Sequence, residues 1–270
     1  MLADVVDLLR CPGCGTELAV TDRVLGCRTT HRYDIAKQGY VNLLSTPAGA
    51  NADTAEMITA REGHLSRGHH DAVRELLVAR SGAVVLDAGA GPGWYLAGLP
   101  DTSRGLALDL SVAAARRAAR VDARVGAVVC DLWGPLPVDS GVIDTVWCVF
   151  APRNFDEYAR VLRPGGELIM VIPGADHLHE LVSAGLTIGV EPAKEERLQE
   201  QLTAMTGPRR LVPRWREQFR TEAAADAAAV ADVIGMGPSA HHPTTRSTAP
   251  LPSLFTVSLT VLGLRVQTRG

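Results

Sequence analysis

Seven residues, Asp87-Ala88-Gly89-Ala90-Gly91-Pro92-Gly93, follow directly on the apolar run Ala83-Val84-Val85-Leu86. A strand that ends in an acid and opens into a glycine-rich turn is how a Rossmann-like sheet receives an adenosine-containing cofactor. Glycine is required where the backbone bends tightly and passes close to a ligand that a Cβ would strike. The spacing Gly89-x-Gly91-x-Gly93 is not the G-x-G-x-x-G of most dinucleotide binders, so a nicotinamide cofactor fits it poorly. A turn of this kind also serves as a plain βα connection, so its neighbours have to decide.

From residue 83 onward the pattern alternates strand and helix. Val84-Val85-Leu86, Gly105 to Asp109, Ala127 to Asp131, Ile143 to Phe150 and Glu167 to Ile172 read as strands. Between them, Ser111 caps an Ala- and Arg-rich helix over 112–120, and Phe155 to Leu162 form a helix stopped by Arg163-Pro164-Gly165-Gly166. Near-continuous apolar strands separated by helices predict a parallel sheet covered on both faces, an α/β fold. In the last third, 177–205 and 222–234 read as helices, 211–215 as an edge strand and 255–261 as a half-buried antiparallel strand. The segment 241–252 is rich in Pro, Thr and Ser and reads as mobile.

Three parts are expected: a small unit over 1–45, a helical linker over 46–80 broken at Gly68, and the sheet domain over 81–270. The N-terminal unit carries Cys11, Cys14, Cys27 and His31, spaced C-x2-C-x12-C-x3-H. That is the knuckle and return of a structural tetrahedral zinc site, with no open position for a substrate. About 40 residues cannot hold a core unaided, so Zn2+ should supply much of this unit's folding energy. Cys130 and Cys148 lie in apolar runs and read as core residues. An odd cysteine total, 5, argues against a disulfide framework.

No stretch is long and apolar enough to span a bilayer, and the N-terminus lacks a basic and apolar leader, so the protein is expected in the cytoplasm without a membrane partner. Net charge is −3, which does not announce a nucleic-acid binder. All basic side chains except Lys37 and Lys194 and the histidines are arginines, which suits phosphate contacts without proving them.

Asp87, Asp109 and Asp131 each end a predicted strand, on the crevice where open α/β sheets bind ligands. Asp109 is placed to accept from both ribose hydroxyls and Asp131 from the adenine amine. Each acid alone is equally well a cap or turn residue; together with the glycine turn they point to S-adenosylmethionine.

Taken together the chain resembles the RlmA family of 23S rRNA (guanine-N1) methyltransferases, on its tylosin-resistance branch. The resemblance rests on the Cys/His module, Gly39-Tyr40-Val41-Asn42-Leu43, Asp53-Thr54-Ala55-Glu56-Met57, Ala60-Arg61, Gly68-His69, the glycine turn and Leu108-Asp109-Leu110-Ser111. It continues through Phe150-Ala151-Pro152-Arg153-Asn154, Leu162 to Gly166, His177-Leu178-x-Glu180-Leu181 and Met236 to Ala240. It implies a class I S-adenosylmethionine methyltransferase fold with an N-terminal zinc module that helps recognise an rRNA hairpin. It adds His70, Gly93, Trp94 and His177 to the cofactor contacts. His70 stands where the family usually has Tyr, and His241 where the tylosin-resistance type has Trp.

Guanine N1 carries a proton that must leave, so a base or an enolate-stabilising donor is expected; the candidates are Asp131, Asp176, His177 and His241. Phe150, Ala151, Pro152, Arg153 and Asn154, after the fourth strand, should border the acceptor base. Methylation near the peptide exit tunnel would then reduce macrolide binding. By position alone His64, His69 and His70 read as surface groups, and Trp133, Trp147 and Trp215 as packing residues. Two competing readings are a methyltransferase of a small metabolite or protein, and a non-catalytic zinc-ribbon RNA-binding protein.

Overall fold

The computed structural model describes residues 1–49, 51–189, 194–237 and 250–268. Near the N-terminus β1 (Leu18–Thr21), β2 (Val24–Cys27) and β3 (Arg32–Asp34) form a small antiparallel sheet. The main sheet comprises β4 (Val41–Asn42), β5 (Val84–Ala88), β6 (Arg104–Asp109), β7 (Val125–Val129), β8 (Ile143–Val149), β9 (Leu162–Pro173), β10 (Arg209–Ala224) and β11 (Leu254–Thr268). Its spatial order is β10-β11-β9-β8-β5-β6-β7-β4. Pairings from β4 to β9 are parallel; β11 runs antiparallel to β9, and β10 to β11. Chain order therefore reverses between β5 and β8, the switch point that opens a crevice at the carboxyl ends of the strands.

Every residue of β7 and β8 is buried, as strands covered on both faces require. Alternate side chains feed two cores. Leu86, Leu106, Leu108, Val128, Val146, Leu168 and Met170 pack with the N-terminal module and with α4 (Phe155–Val161) and α6 (Lys194–Thr203). Val85, Ala107, Ala127, Val129, Trp147, Ile169 and Val171 pack on the other face with α2 (Asp71–Ala79), α3 (Val112–Ala118) and α7 (Ala227–Met236). Among the described residues the remaining α-helices are α1 (Ala55–Leu65), which lies against α7, and α5 (His179–Ser183).

The N-terminal module is fastened to the sheet. Its 3-10 helix, Leu2–Leu8, buries Leu2, Val5 and Leu8. Val5 lies over Gly126 so closely that a Cβ there would stand 2.2 Å from Val5 Cγ2. Arg104 donates to Asp7 at 2.9 Å and to the Asp4 carbonyl at 2.8 Å, and Arg10 pairs with Asp139.

Local signals hold where a side chain fixes the backbone. Ser111 caps α3 by accepting from Ala114 N at 3.2 Å, and Gly68, at φ 82, separates α1 from α2. The C-terminal third differs from expectation. The edge strand extends over sixteen residues, 209–224, because β11 offers a partner along its whole length, with a bulge between Pro213 and Trp215. The alanine-rich helix therefore starts at Ala227, where Asp226 accepts from Ala229 N at 2.7 Å, and not at 222. Strand β9 begins at Leu162, directly after α4, so Arg163 to Gly166 lie within it. Among the described residues, the stretch 177–205 holds two helices, α5 and α6. The larger part of 241–252 lies outside the described residues. Among the described residues no helix is long and apolar enough to cross a membrane.

Candidate active site

Cys11, Cys14, Cys27 and His31 converge, with all four ligand atoms within 4.8 Å of one another. Cys14 Sγ and Cys27 Sγ are 3.7 Å apart, and His31 Nδ1 is 3.5 Å from the sulfurs of Cys11 and Cys27. A tetrahedron with zinc bond lengths has edges of about 3.5–3.8 Å, so the donor set fits Zn2+. Gly13 lets the knuckle pass the imidazole, for a Cβ there would stand 2.9 Å from His31 Cε1. Thr29 Oγ1 lies 3.0 Å from both Cys14 Sγ and Cys27 Sγ. Hydrogen bonding from Thr29 holds the Cys27 thiol down to about 4, and from Thr16 and Thr29 the Cys14 thiol to about 7. Thiolates are the form a metal binds.

The second site is a cavity of about 970 Å3 at the carboxyl ends of β5, β6 and β8. Gly89, Gly91 and Gly93 all have positive φ, 82, 53 and 80. A Cβ on Gly89 would meet Ala151 Cβ at 2.6 Å, and one on Gly93 the Ala118 backbone at 2.9 Å. Asp109 braces the turn: its Oδ2 accepts from Gly91 N and its Oδ1 from Ser111 N, both at 2.8 Å. Asp87 is the unusual group. It is 1% exposed, and neither carboxylate oxygen has a hydrogen-bond partner. Burial, with the nearby Asp109 carboxylate second, pushes it up to about 8. Burial raises Asp109 as well. A buried carboxylate without a donor, below a glycine cradle, fits a ligand bearing an ammonium group.

Of the residues singled out from sequence, Gly89, Gly91, Asp109, Asp131, His177, His70, Phe150, Ala151 and Pro152 line this cavity. Asp131 Oδ1 accepts from Trp133 N at 2.9 Å. His177 Nδ1 accepts from Ser258 N at 3.2 Å, and its ring stacks on Phe150 at 6.3 Å between centroids. Others, Asp87 and Gly93 among them, do not line the cavity. Asp176 pairs with Arg220 at 3.0 Å. Trp94 packs under the Arg74 guanidinium, 3.9 Å above its ring. Arg153 donates to Gln201 Oε1 at 3.2 Å, and Asn154 Nδ2 donates to the carbonyls of Leu132 and Gly134 at 2.8 and 2.9 Å. His241 lies outside the described residues.

Sequence reasoning placed His70 at the cofactor but missed His64 and Arg61 in the wall. His64 and His70 are not surface groups; they are 1% and 3% exposed. His64 Nε2 lies 3.1 Å from His70 Nε2, and His70 Nδ1 lies 2.8 Å from the Tyr95 hydroxyl. Burial holds His64 down to about 4 and His70 to about 3, so both rings are neutral at pH 7. Arg61, ion-paired with Asp53 at 2.6 Å, reaches over Gly91, where a Cβ would stand 3.3 Å from its Nη1. The spacing of His64 and His70, six apart across the α1–α2 corner, carries no helical-face signal that would have joined them. Trp133 is 69% exposed on the rim, not a packing residue; its loop turns outward where a buried position was expected.

Two families match this chain: the RlmA N-terminal zinc ribbon over residues 9–48, and a methyltransferase domain over residues 85–166. The chain is 41% identical to the 23S rRNA (guanine(748)-N(1))-methyltransferase of Streptomyces fradiae, covering 97% of both chains. It is 42% identical to a protein assigned as a 23S rRNA (guanine-N(1)-)-methyltransferase in Micromonospora griseorubida, covering 90% of both. Among solved structures, one described as a methyltransferase from Bacillus halodurans aligns with TM-score 0.51 at 17% identity, covering 72% of this chain and 97% of that one. That likeness speaks to the fold. The cofactors that go with this cleft and this cluster are S-adenosylmethionine and Zn2+. With a zinc ribbon and a methyltransferase sheet in one chain, and end-to-end similarity to such enzymes, the protein belongs to the family of 23S rRNA (guanine-N1) methyltransferases.

Proposed function

We propose that this protein transfers a methyl group from S-adenosylmethionine to N1 of a guanine in a 23S rRNA hairpin near the peptide exit tunnel, working in the cytoplasm and lowering macrolide affinity for the ribosome. The observation that carries the reading is the 41% identity over 97% of both chains to an enzyme named for guanine 748, together with a glycine cradle over an unpartnered acid.

The bound cofactor supplies a methyl already activated on a sulfonium, so the chain's main task is positioning. Asp87 lies beneath the cradle to pair with the cofactor's ammonium group. Asp109 extends its remaining lone pairs to the ribose, and Asp131, at the third strand end, to the adenine amine. Gly89, Gly91 and Gly93 keep the backbone low enough for the ligand to lie against it.

Guanine N1 holds its lone pair in the ring and carries a proton. The chain must accept that proton or hold the charge that forms on O6. His177 Nδ1 accepts from the Ser258 amide, an arrangement that places the ring's N–H on Nε2. Such a ring is suited to hold O6 and not to take the proton from N1. With O6 held, N1–H is acidified and its proton leaves to water in the cleft. Asp176, held by Arg220, is the weaker candidate. The zinc module, locked to the sheet through Val5 and Arg104, presents the hairpin in fixed register.

Purified protein incubated with isotopically labelled S-adenosylmethionine and 23S rRNA tests the reading. Label in N1-methylguanosine at a single tunnel-proximal position is the expected product. Cofactor binding without transfer to rRNA would move metabolite or protein substrates to the front.

A further inference from the structure

Trp133 is out of place for a residue of its kind. The chain's 4 tryptophans are Trp94, Trp133, Trp147 and Trp215. Trp147 is fully buried and donates to Ser81 Oγ at 2.9 Å. Trp94 and Trp215 lie under arginines, and Trp215 also donates to Glu167 at 2.8 Å. Trp133 is 69% exposed on the rim of the cofactor cavity.

Its exposure is held by specific contacts. Asp131 Oδ1 accepts from the Trp133 amide, and Asn154 Nδ2 fastens the loop on both sides, at the carbonyls of Leu132 and Gly134. The backbone is clamped, and the ring is displayed. Elsewhere on the same cavity stands Phe150, 49% exposed and held at φ 54. A bulky residue in the left-handed region is strained and persists at sites where it serves a function. Two displayed aromatic faces at the mouth of a methyl-transfer cavity suit a substrate whose unpaired bases are splayed out and stacked.

We propose that Trp133 is a stacking surface for an unpaired base of the substrate RNA, beside the guanine that enters toward Phe150. This rests on the rRNA reading above. Asn154 then acts as a positioning residue for the platform, and the exposed ring, not net charge, supplies affinity on this side of the mouth.

The test uses the full-length zinc-loaded protein saturated with S-adenosylhomocysteine and titrated with the synthetic tunnel-proximal hairpin. Hairpin binding should quench the tryptophan emission of the wild type but leave that of Trp133→Phe nearly unchanged. Trp133→Ala should weaken hairpin affinity and raise the RNA KM by roughly 5- to 150-fold, the loss of one stacked base. Its S-adenosylhomocysteine affinity and zinc content should stay at wild-type values, and Trp133→Phe should recover most of the affinity. Wild-type hairpin affinity in Trp133→Ala would overturn the proposal. So would a loss of S-adenosylhomocysteine affinity with RNA affinity intact, which would assign the ring to the adenine. If the wild type neither binds nor methylates the hairpin, the rRNA reading fails and the stack falls with it; a methylating wild type with an unimpaired Trp133→Ala refutes the stack alone.

Discussion

Replacing Asp87 by Asn should stabilise the cofactor-free protein at alkaline pH while removing its response to cofactor. Asp87 is buried, both oxygens lack a partner, and burial pushes it from 3.8 up to about 8. A carboxyl whose folded pKa is raised contributes its full stability below the unfolded pKa and loses it as pH rises through the folded one. Each pKa unit corresponds to about 1.4 kcal/mol. Between pH 5 and pH 8 the wild type therefore loses up to about 4 kcal/mol through this group, on the order of 10 °C in Tm for a chain of this size. Asn has the same shape and never ionises, so Asp87→Asn should lie close to the wild type at pH 5 and exceed it clearly at pH 8. S-adenosylhomocysteine should reverse the order, because its ammonium pairs with the ionised carboxylate and has no charge partner in the variant. Urea unfolding at the two pH values, with and without S-adenosylhomocysteine, measures all four quantities. A variant less stable than the wild type at pH 8 without ligand, or equal stabilisation of both by the ligand, would refute the reasoning.

Three further outcomes follow from named contacts. Thr29→Val removes the hydroxyl shared by Cys14 and Cys27 and should weaken zinc binding about 10- to 100-fold in competition with a chelator. Gly89→Ala would place a Cβ 2.6 Å from Ala151 Cβ at φ 82 and should abolish S-adenosylhomocysteine binding by calorimetry without changing zinc content. Asn154→Ala frees the carbonyls of Leu132 and Gly134 and should raise the RNA KM while leaving zinc content unchanged, as seen in steady-state methylation assays.

What the sequence discloses of this fold is what short-range chemistry dictates. The strand ending in Asp87, the cap at Ser111, the break at Gly68 and the Cys/His spacing each depend on a few neighbouring residues, and each stands where it was expected. The C-terminal third depends on pairing between distant strands. Glu222 to Ala224 carry helix-favouring residues, yet they pair with Leu254 to Thr256 because the ladder along β11 outweighs local propensity. The site divides in the same way. The acids and glycines were legible because the cofactor's chemistry fixes their type and spacing. The contact between His64 and His70 was not, since only the fold of α1 against α2 brings their Nε2 atoms to 3.1 Å. Trp133 was misread because aromatic residues are usually buried, and nothing in the local sequence says that Asn154, 21 residues away, would hold its loop outward.

The most direct measurement is on the RNA itself: primer extension and nucleoside mass spectrometry of 23S rRNA from cells with and without this protein, read across the tunnel-proximal hairpin. The account predicts one new N1-methylguanosine stop there, present with the wild type and absent with Asp87→Asn. An unchanged hairpin in cells that contain the folded, zinc-loaded, cofactor-binding protein would contradict it.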